Sequence, residues 1–221
     1  MKNPIVLTLF CLLFCYGCSD KSSANKAPDQ KPAENDDSAY VQQGIKIALQ
    51  GNLDSALDDF NKAIAINGKN AQYYLYRANA YSDKGEYKEA VIDYTKVLEL
   101  NPENKKIYSL RGFAYLMQNK FKEALEDINH AILDNVDVRQ NYNNRCYCYG
   151  QLGEYKKALV ECNNAISLEP NIADTYDTRS GVYLHLKDYD HSWGDVMKVK
   201  ELGGKSSPNI LDELKQESGR T

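Results

Sequence analysis

The side chains in this 221-residue sequence best suited to metal binding or nucleophilic catalysis are three histidines, His130, His185 and His191, and six cysteines. His191 and Asp195 are four apart, so a helix places them on one face, and His185, Asp188 and Asp190 are near in sequence. Such a group is a loose divalent-cation site at most, because a structural zinc centre takes four tight ligands. A solvated polar face is the better reading, with a metal-dependent or catalytic role around His185 and His191 as the rival. Glycine-rich phosphate loops, zinc-protease signatures and nucleophile elbows are missing from the sequence. Cys162 beside a histidine and an acid would make a nucleophile, but it shares a repeating position with Phe60, Tyr94 and Ile128, which marks it as buried and inert. The expectation is a non-enzyme with no cofactor and no metal.

Composition narrows the class further. The chain is 43% hydrophobic and 26% charged, near the average for a folded soluble domain. A mean hydropathy of -0.60 excludes a polytopic membrane protein. A net charge of -4 and a pI of about 5.5 exclude a nucleic-acid binder built on a basic face. Tyrosine is over-used, with 17 Tyr against 5 Phe and 1 Trp, which implies one residue type repeated in one structural role.

The N-terminus reads as a processing segment. Lys2 precedes an apolar run from Ile5 to Phe14, too short to span a bilayer but suited to a signal peptide. The run ends at Cys15-Tyr16-Gly17-Cys18, and small Gly17 before a cysteine resembles the lipobox of bacterial lipoproteins. That resemblance implies a signal peptide over 1–17, lipidation of Cys18 and a membrane anchor. Ser19 implies delivery to the outer membrane, facing the periplasm, under the sorting pattern of such lipoproteins. Residues 18–36 are rich in small, charged and proline residues and read as a flexible tether.

Everything after the tether follows one period. Tyr40, Tyr74, Tyr108, Tyr142 and Tyr176 are 34 residues apart at each step. Ala56, Ala90, Ala124 and Ala158 keep the same step, followed by Ser192, and so do Leu53, Tyr87, Phe121, Tyr155 and Tyr189. Five units, 37–70, 71–104, 105–138, 139–172 and 173–206, fit without insertion. Each reads as two helices: Tyr74, Arg77, Ala78 and Tyr81 recur at helical spacing, Lys84-Gly85 interrupts, and Ala90, Val91, Tyr94, Val97 and Leu98 resume it. A single hairpin of this kind cannot bury its apolar face, so neighbours must stack. Ser207-Pro208 reads as a helix start with a capping serine, and Ile210, Leu211 and Leu214 would seal the end as a capping helix over 207–221.

The pattern Tyr74…Ala78…Tyr81…Ala90…Tyr94…Pro102 resembles the tetratricopeptide repeat, with unit five degenerate at Ser180, Ser192 and Gly203-Gly204. The resemblance implies an all-α, right-handed α-solenoid of five helix-turn-helix units. It also implies a concave groove lined by the first helix of each unit. The matching positions are Tyr76, Asn79 and Asp83; Lys106, Leu110, Phe113 and Met117; and Gln140, Asn143, Asn144 and Tyr147. Aromatics with amides suit an extended or helical peptide; packing between adjacent helices is the plainer alternative for the same side chains. The family's carboxylate clamp is not matched, because Val41, Ile45, Lys106 and Leu110 stand at its positions.

Charges recur too. Arg77, Arg111, Arg145 and Arg179 share one repeat position, and Asp59, Asp93, Asp127, Glu161 and Asp195 another. The expectation is an arginine–carboxylate ladder along the packing seam, with an anion-binding stripe as the rival. Once the leader is removed and Cys18 is lipidated, Cys146, Cys148 and Cys162 remain; Cys146 and Cys162 would either bridge in an oxidising compartment or stay as buried thiols. The functional expectation is a membrane-tethered scaffold or adaptor that binds a peptide or helix of a protein partner in the cell envelope. Self-association into a homo-oligomer is the alternative.

Overall fold

The computed structural model describes residues 36–219, so the expected signal segment, the expected lipidation at Cys18 and all of the expected tether but Asp36 lie outside the described residues. Eleven α-helices account for the described chain: α1 (Asp37–Leu49), α2 (Leu53–Ile66), α3 (Ala71–Lys84), α4 (Tyr87–Leu100), α5 (Lys106–Met117), α6 (Phe121–Leu133), α7 (Val138–Gln151), α8 (Tyr155–Leu168), α9 (Ala173–His185), α10 (Tyr189–Glu201) and α11 (Pro208–Ser218). Odd-numbered helices up to α9 open the units and even-numbered ones close them. Starts are marked by side chains that accept from free N–H groups: Asp36 from Ala39, Asn52 from Ser55, Asn70 from Gln72 and Asp188 from His191. Between the two helices of every unit one residue takes the left-handed conformation. It is Gly51, Gly85 and Gly153 in three units, but Asn119 (φ 59°) and Lys187 (φ 60°) in the others.

Two compact units divide the chain, one ending at Ile107 within α5 and the other beginning at Tyr108. In the first, α1 to α3 pack around Ala48, Ala56, Leu57, Phe60 and Ala80, with Tyr40, Val41 and Ala63 alongside. In the second, one cluster forms around Ala124, Ile128 and Cys148, and another around Cys146, Ala158, Cys162 and Val182.

Each hairpin closes where a small residue faces a larger one. A Cβ on Gly44 would lie 2.8 Å from the Phe60 ring, and one on Gly112 would lie 3.2 Å from Ile128 Cγ1. Ala78 and Tyr94 hold these positions in the second repeat, both fully buried. In the fifth, Ser180 and Val196 hold these positions, both buried, and the Ser192 hydroxyl donates to the carbonyl of Ser180 at 2.9 Å. The fourth repeat replaces the fitted pair with a covalent one, a disulfide between Cys146 and Cys162 with Cα atoms 5.3 Å apart. Of the two arrangements open from sequence, the bridge is the one present.

The degenerate fifth repeat is closed by α11. Leu214 is fully buried with Leu184 and Val196, and Ile210, Leu211, Tyr189 and Trp193 pack around them. The serine before Pro208 differs from expectation. Its hydroxyl does not cap its own helix; the Ser207 N–H and hydroxyl both donate to the Asp177 carboxylate, at 3.0 and 2.5 Å. The side chain turns to donate to the fixed acid on α9, a charge-assisted bond, instead of offering its oxygen to the N–H groups of its own helix.

Candidate functional site: the first-helix faces

The repeated arginines are consumed by structure. Arg77 donates from Nε and Nη2 to both oxygens of Asp93, each at 2.7 Å, and from Nη1 to Asn61 of the preceding repeat at 2.7 Å. Arg111 forks onto Asp127 at 2.8 Å for both bonds. Arg179 does the same to Asp195 and reaches Asn163 at 2.6 Å. The bonds to Asp93 and Asp127 raise Arg77 and Arg111 above the ordinary guanidinium value, more than burial lowers them.

Tyrosines three residues before and four after flank these arginines. Arg77 lies 5.6 Å from the Tyr74 ring and 6.0 Å from Tyr81, and Arg179 lies 5.4 Å from Tyr176 and 5.6 Å from Tyr183. This explains the tyrosine excess: the rings and guanidinium groups form one stack along each seam. The anion-binding stripe is therefore not available. Asn61, Asn129 and Asn163, which accept from the remaining arginine nitrogen, were not singled out from sequence, although they share one repeat position, interrupted by Thr95.

The expected groove residues separate into packed and accessible sets. In the first unit, Tyr76 is half-buried and stacks on Phe60 with ring centres 5.9 Å apart. Asn79 is only 6% exposed, and its Oδ1 accepts from the Tyr94 hydroxyl at 2.9 Å. Asn79 is thus a core contact rather than an open groove residue, because a tyrosine at a fully buried position must place its hydroxyl on a partner. Asp83 is half-buried and Lys106 exposed. Burial pushes the Asp83 carboxyl up to about 7. The folded state thus holds its proton more tightly than the unfolded chain, and this carboxyl opposes folding increasingly as pH rises from about 4 to about 7.

In the second unit, Leu110 and Phe113 are half-buried, whereas Met117 is 41% exposed and Tyr147 40%, its ring edge-on to Phe121. Gln140 is exposed and donates to Asn144 Oδ1 at 3.0 Å. Asn144 is 7% exposed, so it too is a packed residue that orients Gln140 and not an open contact. Asn143 is half-buried, with its Oδ1 enclosed and without a partner. Of the expected groove residues, those accessible in the second unit are therefore Met117, Gln140 and Tyr147.

The histidines occupy three tyrosine stacks: His130 on Tyr108 at 4.8 Å, His185 near Tyr155 at 5.0 Å and His191 on Tyr183 at 5.1 Å. His191 Nδ1 also lies 2.8 Å from Asp188. Among the described residues, no group of three or more His, Cys, Asp or Glu side chains is gathered to hold a metal ion. Cys148 is buried, which pushes its thiol up to about 12 and removes it as a nucleophile near neutral pH. No described helix is long and apolar enough to cross a membrane.

Comparison with known proteins places this geometry in a class. Profiles described as tetratricopeptide repeat match residues 60–92 and 140–172, and one described as TPR repeat matches 78–119. The chain carries tetratricopeptide repeats in an all-helical repeat fold. Among solved structures it is similar to MamA (residues 41 to the end) from Desulfovibrio magneticus RS-1, with 19% identity, a TM-score of 0.72, and 77% of this chain and 97% of that one covered. It is also similar to YrrB, a TPR protein with an unusual peptide-binding site, at 20% identity, TM-score 0.66, and coverage of 83% and 93%. PilW, a widely conserved type IV pilus biogenesis factor, aligns at 14% identity and TM-score 0.72 over 84% and 87% of the two chains. No curated protein matches the sequence significantly.

Proposed function

We propose that this protein is a non-catalytic scaffold, tethered to a bacterial envelope membrane through Cys18, that binds a peptide or helix of a protein partner on the faces of its first helices. The observation that carries the reading is the exposure of Met117 and Tyr147, with the amide of Gln140 exposed on the same helix as Tyr147. Large side chains held half in water, next to a donor and acceptor, suit peptide recognition. That YrrB has a peptide-binding site lends peptide recognition a precedent in this fold. The anchor rests on the apolar run ending at Gly17-Cys18. The Cys146–Cys162 bridge supports an oxidising compartment such as the periplasm. Self-association through the C-terminal end would have to displace α11, whose Leu214 is fully buried.

Affinity capture from detergent-solubilised membranes tests both parts. Full-length protein is compared with a Met117→Ser/Tyr147→Ser variant, helix content being checked by circular dichroism. Loss of one envelope protein from the variant eluate is the expected result; identical eluates would remove the first-helix face from consideration. In parallel, Cys18→Ala should abolish incorporation of labelled palmitate and release the chain from the membrane fraction.

A further inference from the structure

Asp83 is the penultimate residue of α3, and three conditions there oppose a negative charge. The C-terminal end of a helix is the negative end of its dipole. The side chain is half-buried. Among the described residues, no hydrogen bond or ion pair reaches its carboxylate, and the adjacent Lys84 is turned away, with Nζ 2.6 Å from Asp54 and 2.7 Å from Glu86. Two phenols lie close by: burial first and the Asp83 charge second raise both Tyr87 and Tyr94. Burial likewise pushes Asp83 itself up to about 7.

The fold does not require an acid at this position. One period away in either direction stand Leu49 and Met117, and further along Gln151 and His185, so the same place accepts apolar and neutral side chains. A carboxylate kept at cost, half-open on a first-helix face and without a cation, is poised for one brought by a ligand. We propose that Asp83 is the receptor for a cationic group, a lysine or arginine side chain or a free N-terminal amine, of a peptide bound on α3 within the first unit. The proposal rests on the peptide-binding reading above and specifies its partner: a segment carrying a positive charge.

Selection of random dodecapeptides displayed on phage, against the immobilised full-length chain and against Asp83→Asn, tests it. Wild-type selection should enrich peptides with a basic residue at one fixed position or a required free amine, and Asp83→Asn selection should lose that preference while still enriching peptides. For a synthetic copy of an enriched peptide, replacing the lysine by norleucine, or acetylating the amine, should weaken binding to the wild type about ten- to a hundredfold and leave binding to Asp83→Asn nearly unchanged. Enriched peptides without a positive charge, or a basic preference that survives Asp83→Asn, would overturn the assignment while sparing peptide binding. No enrichment above bare matrix would overturn peptide binding itself, and the assignment with it.

Discussion

Repeats three and four are consecutive in sequence and are fastened in different ways. In repeat three, Gly112 lets α5 close onto Ile128, and Arg111 grips Asp127 with two nitrogens, both carboxylate bonds at 2.8 Å. In repeat four the acid is Glu161, one methylene longer. Arg145 reaches it with Nη2 alone, at 2.7 Å, and the Arg145 Nε is buried without a partner. Where the fork is lost, the Cys146–Cys162 bridge joins the same pair of helices. A repeat can thus be held by a bidentate ion pair over a fitted core or by a covalent link with a poorer ion pair. The arginine stays in both because the tyrosine stack also depends on it.

The sharpest way to break this comparison is to remove the arginines. Arg111→Met strands a carboxylate whose side chain is 5% exposed, and the expected loss is about 3–5 kcal/mol in urea unfolding. Arg145→Met should cost well under half of that, since Glu161 is more exposed and accepts a single bond from Arg145. Equal losses would refute the distinction. Partner binding should survive Arg111→Met, because the guanidinium faces the seam.

Next comes the staple. Replacing Cys146 and Cys162 by alanine opens a cross-link between residues 16 apart and should lower unfolding stability by about 3 kcal/mol, while the corresponding small-to-large pairs elsewhere have no such covalent term to lose. A wild-type chain whose urea midpoint is unmoved by a dithiol reductant after full unfolding and refolding would contradict this. A gain should follow from Glu161→Asp, which restores the shorter acid of the other repeats. The second carboxylate bond to Arg145 Nε adds about 1 kcal/mol. The smallest change lies in the fifth repeat, where Lys187 occupies a left-handed turn that glycine fills in three others. Lys187→Gly should raise stability by about 0.5–1 kcal/mol. A melting temperature that falls would show that the lysine makes a contact outweighing the strain.

The helical pairs, the five-fold period, the arginine ladder and the capping role of Leu214 were legible because each depends on a residue type recurring at fixed spacing. What was not legible depends on how neighbours fill space. Asn79 and Asn144 look like surface amides in sequence, but one is drawn in by the Tyr94 hydroxyl and the other by Gln140. The Tyr94 signal was present, since a tyrosine at a position otherwise held by Phe60, Ile128 and Cys162 brings a hydroxyl that must be satisfied. Ser207 kept the spacing of an N-cap, yet Asp177, thirty residues earlier, claimed its hydroxyl. No local pattern encodes a bond of that range. The fate of Cys146 and Cys162 stood between two arrangements because sequence spacing alone does not report the distance between helices.

Trp193, the single tryptophan, donates its indole N–H to Ser218 on α11 at 3.0 Å while its ring packs beside Leu214. The chain therefore carries an intrinsic optical gauge at its last joint. Detachment of α11 would move the indole from an apolar wall into water and shift its emission to longer wavelength, against a tyrosine background that the rest of the array supplies.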